Sequence, residues 1–122
     1  MSISNYAELK ILEHITGKTA YSMPATVYLK LHTADAGEAG TTAAATEATR
    51  KATSWAAAAS GSIATNATVE WTNVSTTETY THWSMWDAST AGNCLWTGAL
   101  SASAAVTAGD TFQITSLTLS LD

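Results

Sequence analysis

The stretch from Tyr80 to Leu100, YTHWSMWDASTAGNCLWTGAL, holds three of the chain's five tryptophans beside a histidine, an aspartate and the only cysteine. It reads either as a reactive cluster or as a hairpin whose rings fill a core, and that choice sets the fold. On an extended chain Thr79, Thr81, Trp83 and Met85 point one way, and Tyr80, His82, Ser84 and Trp86 the other. Tryptophan on both faces predicts a strand covered on both sides. DASTAGN supplies turn formers, and CLWTGAL runs back as a partner strand, so aromatics can pair across the hairpin.

The reactive reading would join Cys94, His82 and Asp87. Cys94 has no basic neighbour or helix N-terminus in sequence to lower its pKa, and its surroundings are apolar. A buried, inert thiol is expected, with an intermolecular disulfide open only if Cys94 reaches a subunit boundary. Asp87 and Asp110 read as turn starters. No catalytic residue, cofactor site or metal site is expected. His14, His32 and His82 sit on different elements, and no phosphate-cradling glycine loop is present.

Outward from the hairpin, the pattern stays β. Val27, Leu29 and Leu31 alternate with Tyr28, Lys30 and His32 after Pro24, and Val69 and Trp71 share one face. Near the end Phe112 and Ile114, then Leu117, Leu119 and Leu121, alternate with a change of phase that fits a bulge at Thr115 and Ser116. ADAGEAGTTAAATEATRKAT, residues 34–53, begins as a loop, and its second half suits helix or strand equally. Residues 1–18 read as a short helix, with Asn5 as its cap, Glu8 reaching back, and Gly17 as its stop. Leu9, Leu12 and Ile15 form its apolar stripe, expected to dock on its own sheet or on another subunit. The expectation is a single domain over 1–122: mainly β, a small antiparallel β-sandwich or barrel of six to eight strands over 24–122, with a short N-terminal α-helix.

Composition narrows the function. Only 12% of residues are charged, the net charge is −5, and Arg50 and Lys51 are the only adjacent basic pair, which disfavours nucleic-acid binding. No cationic start followed by an apolar run marks a signal peptide, and no run is long enough to span a membrane, so neither nucleic acid nor membrane is an expected partner. A charge-poor surface suits packing against neighbours, since few charges must be desolvated. Rings facing outward, with Tyr28, Tyr80 and Trp86 the candidates, would offer a sugar-stacking platform; core packing is the competing use.

The segments NYAELKILEHITGK, MPATVYLKLHTADAG, THWSMWDASTAGNCLWTGAL and VTAGDTFQITSLTLSLD, in that order, resemble a family of small tailed-bacteriophage virion structural proteins, often labelled tail fibre or minor structural protein. Trp86-Asp87-Ala88, the Gly92-Asn93 turn, Leu95 and Gly98 to Leu100 carry the resemblance most sharply. Ser84 stands where the resemblance leads one to expect glycine, and the middle is rich in Ala instead of Gly. The resemblance implies a non-enzymatic virion component. The lack of repeats and heptads points first to a capsid decoration (cement) protein, a homo-oligomer and expected trimer on the major capsid protein. A tail-associated or tail fibre component in contact with tail proteins, as a possible sugar-binding host-recognition module, is the alternative. The expected interface is Leu9, Leu12, Ile15, Tyr28 and Trp86, or an exposed edge strand.

Overall fold

The computed structural model describes residues 2 to 121. Nine strands and one helix follow in the order β1 (Ser2–Ile3), α1 (Asn5–Ile15), β2 (Tyr28–His32), β3 (Lys51–Ala52), β4 (Ser62–Ala64), β5 (Val69–Trp71), β6 (Glu78–Trp86), β7 (Cys94–Val106), β8 (Phe112–Ile114) and β9 (Thr118–Ser120). The expected hairpin is β6–β7, the centre of a five-stranded antiparallel sheet ordered β1-β7-β6-β2-β3. Two smaller antiparallel pairs, β4–β9 and β5–β8, complete the fold, and the sheets do not close into a barrel.

The large sheet is covered on both faces, as its tryptophans require. Leu29 pairs with Met85 and Leu31 with Trp83 across β2 and β6, and Trp96 faces Met85 from β7. These side chains join the main core together with Trp71 and Val69 of β5. Phe112 of β8 closes it, 5.2 Å from the Tyr80 ring and 5.9 Å from Trp71. Tyr80 shares this core with Trp83, contrary to simple alternation. Between Tyr80 and His82 the register with β7 shifts, and that irregularity reverses the phase of the strand. The opposite face carries His32, Ser84, Trp86 and Cys94.

Gly98 lies opposite Trp83 in the ladder, and a Cβ there would sit 2.6 Å from Cζ2 and 2.8 Å from Cε2 of that buried indole. Trp83 is buried, so an added methyl group forces the indole or the strand to shift. Gly98→Ala is therefore expected to cost about 1–3 kcal/mol by overpacking, read as a lowered denaturant midpoint at unchanged slope.

Two local expectations are corrected. Ser4, not Asn5, caps α1. Its Oγ accepts from the Ala7 N–H at 3.1 Å and donates to the Cys94 carbonyl at 2.6 Å, while its own N–H donates to the Leu95 carbonyl at 3.0 Å. Gly17 does end the helix, at φ +75°, with Gly17 N–H on the His14 carbonyl and Lys18 N–H on the Glu13 carbonyl. Near the C-terminus the change of phase is not a bulge within one strand. β8 pairs with β5 and β9 pairs with β4, so Ile114 and Leu119 belong to different sheets.

Candidate functional site

The hairpin tip is tightly built. Asp87 Oδ1 accepts from the main-chain N–H of Asn93 at 2.7 Å and Oδ2 from the Asn93 amide at 3.0 Å, which closes the turn. The Arg50 guanidinium lies 3.9 Å over the Trp86 ring. It also donates to the carbonyls of Ala88 and Ala91, at 2.9 and 2.6 Å. Arg50 thus pins the tip from the β3 side of the sheet. Burial lowers its pKa and nearby Cys94 and Asp87 oppose that; a guanidinium keeps its charge in this setting.

Beneath the tip runs a buried hydrogen-bond chain. His32, fully buried, has Nδ1 2.8 Å from the Thr42 carbonyl and Nε2 2.7 Å from Ser84 Oγ. A carbonyl only accepts, so Nδ1 carries the proton and Nε2 accepts from the Ser84 hydroxyl. The Trp86 indole N–H donates to the same Ser84 oxygen at 2.7 Å. Donors and acceptors match along the whole chain. Burial pushes the His32 pKa down, aided by the charge of Lys30.

Cys94, His82 and Asp87 do not form a nucleophilic set. Asp87 is spent on Asn93, and His82 Nδ1 pairs with Thr81 Oγ1 at 2.8 Å. Cys94 is buried, and burial pushes its thiol up to about 11. At neutral pH it holds almost no thiolate, and only 5% of it is exposed. Among the described residues no cluster of His, Cys, Asp and Glu is placed to hold a metal ion, and no helix is long and apolar enough to cross a membrane.

The surface is where apolar groups stand unused. Leu9 is 64% exposed, Leu12 56% and Ile15 71%. The helix docks by its other side, through buried Ala7 and half-buried Tyr6 and Ile11. Ser4 decides this: its bonds to Cys94 and Leu95 fix the rotation of α1, and Ala7 and Ile11, one turn apart, then face β7. Met23 and Leu121 are also exposed. The other expected interface residues fare differently. Tyr28 is half-buried, and Trp86, 6% exposed beneath Arg50, offers no contact surface. Tyr80 is fully buried; no tryptophan is exposed, and only Trp55 is half-buried, so a stacking platform of outward tryptophans is not present. The sequence did not reveal the Arg50 cover or the Ser84 junction. The one signal was Ser84 itself, a hydroxyl where the resemblance suggests glycine.

A two-faced β domain with engaged polar side chains and an unpartnered apolar helix face has the character of a structural component. The chain belongs to the family described as podophage GP4 fiber I protein gp80, whose model matches residues 2–122. Among curated proteins none matches the chain. Membership in a phage fibre family makes it a structural component of the virion, and it favours the tail-associated reading over capsid decoration.

Proposed function

We propose that this chain is a non-enzymatic, tail-associated fibre component that assembles by burying the Leu9–Leu12–Ile15 face of α1 against a neighbouring subunit. The observation that carries the reading is that face: three large apolar side chains exposed in a row on a helix already anchored by its other side. Fully burying one such side chain yields about 1.5–3 kcal/mol, so three yield roughly 5–9 kcal/mol. Association costs on the order of 4–15 kcal/mol in lost freedom, so this face alone makes a weak contact. Weak contacts suit an assembly in which each copy is held by several neighbours at once. Homo-oligomerisation, with a trimer as the natural count, and contact with other tail proteins follow from this reading.

Capsid decoration is the second reading, supported by the compact domain and by α1, the only helix among the described residues, whose eleven residues are too short for a fibre coiled coil. Copy number separates the two. Quantitative mass spectrometry of purified virions is expected to give a small count per particle, fixed by the symmetry of the tail. Near parity with the major capsid protein would transfer the chain to the shell, and absence from virions would overturn both readings. In parallel, Leu12→Glu is expected to fold normally and to be lost from assembled particles.

A further inference from the structure

Natural sheets blunt their exposed edges with short strands, charges, prolines or bulges, because an open edge presents a row of unpaired main-chain groups to any other strand. Most edges here are blunted by length. β3 has two residues, one of them Lys51, and β4, β5, β8 and β9 have three each. β7 is different. On its outer side β1 covers only Trp96 and Thr97, and from Gly98 to Val106 no main-chain partner among the described residues is present. Gly98 lies opposite Trp83 and Val106 opposite Glu78, so the open run spans only about 17 Å. It contains no charge and no proline, only Gly, Ala, Leu, Ser and Val.

Its single protection is a bulge. Between the pairs His82–Ala99 and Tyr80–Ala104, two steps of β6 are matched by five of β7. The intervening residues from Leu100 to Ser103 therefore lack pairing on the inner side as well. They border a cleft of about 340 Å³, walled on the far side by β8 and the segment leading to β9. Trp83 lines the same cleft, and its indole N–H is buried without an acceptor. These groups face the inner, cleft side; the outward main-chain groups of β7 from Gly98 to Val106 form a separate unpaired row, and an added strand would satisfy that row.

We infer that this edge receives the β7 edge of a second copy of the chain, antiparallel and related by a two-fold axis. The inference rests on the assembly reading above and names a second contact, separate from the helix face. Composition selects the occupant. Each copy carries a net charge of −5, and the residues of this strand from Gly98 to Val106 carry none of it, so two such strands meet without like charges directly opposed; Asp35 and Glu38 border only the Gly98–Ala99 end. A two-fold pairing also sets Ala and Ser against Ala and Ser, so the contact is self-complementary. Centred on Ala102, it puts Ser101 opposite Ser103 of the second copy.

The test uses charge at these two exposed positions. The full chain is examined by sedimentation velocity as wild type, as Ser101→Lys/Ser103→Lys, as Ser101→Glu/Ser103→Glu, and as Leu12→Glu, with circular dichroism confirming that each folds. The wild type is expected to form dimers at high micromolar concentration. Either like-charged edge variant weakens the dimer by about tenfold or more, and mixing the Lys and Glu variants restores it as a heterodimer. Leu12→Glu leaves this dimer in place. A wild-type chain that remains monomeric overturns the inference. So does a dimer indifferent to the edge charges; if Leu12→Glu breaks that dimer, the helix reading survives alone. Failure of the Lys and Glu variants to pair likewise rules out β7 against β7.

Discussion

Trp71→Ala is expected to be among the most damaging single substitutions in this chain, costing about 3–5 kcal/mol. Trp71 is fully buried in β5, its ring packs on Phe112, and its indole N–H donates to the Thr49 carbonyl at 2.8 Å. Truncation empties the volume of a whole indole beside Phe112 and leaves the Thr49 carbonyl without that donor. β5 and β8 are three residues each, so they have little ladder energy with which to hold their place once the rings no longer interlock. Against a total stability of about 5–15 kcal/mol for a domain of this kind, the loss is a large fraction. Denaturant titration followed by far-ultraviolet circular dichroism reads it directly. Trp71→Phe keeps a ring against Phe112 and gives up the hydrogen bond, so it is expected to lose only about 1–2 kcal/mol. Equal losses for both variants would mean that the hydrogen bond, not the packing, holds the layers together.

What the sequence disclosed and what it concealed divide along the range of the interactions. The β6–β7 hairpin was legible because its signal is local: alternation, turn formers, and rings too numerous for one face. The helix was legible as an element, and Gly17 marked its end. Its orientation was not, because the docked side is chosen by Ser4 bonding to carbonyls far along the chain. The stripe of Leu9, Leu12 and Ile15 looked like the docking face and is the outward one. The same limit hid the end of the chain. Alternation in Phe112, Ile114, Leu117 and Leu119 is real, yet pairing across long separations assigns β8 and β9 to different sheets. The Ala-rich middle gave no periodic signal at all. It proves to be a set of short bridges and turns, with the segment around Thr42 covering His32 and buried Ala45 joining the main core beside Leu31. Arg50 over Trp86 is likewise a tertiary contact with no local signature.

Ser84→Ala is the second large expectation, and it tests the part of the molecule that the resemblance alone would have left blank. The hydroxyl is both the acceptor for Trp86 and the donor to His32, and all three residues are buried. Its removal orphans two polar groups at once, each at about 1–3 kcal/mol, for a loss of roughly 2–6 kcal/mol from the deletion of a single oxygen. A cavity of one oxygen atom cannot account for a loss of that size, so the magnitude identifies hydrogen bonding as the cause. The same network predicts how the wild type responds to acid. Burial, with help from the charges of Lys30 and His82, holds the folded-state pKa of His32 below its ordinary value of 6.5, against the opposing pull of the Thr42 and Ala43 carbonyls. The unfolded chain therefore takes up a proton that the folded chain refuses. The stability tied to His32 is complete above about pH 6.5 and is lost as the pH falls below it toward the folded pKa. Melting temperatures of the wild type should hold level above neutrality and decline between about pH 6.5 and 5, before the carboxylates titrate. His32→Gln removes the titrating ring, and its curve should lose that decline while sitting lower overall. A wild-type curve that stays flat through this window would mean that folded His32 takes up the proton as readily as the unfolded chain, with Nε2–H then donating to Ser84 Oγ where the neutral ring accepts from it.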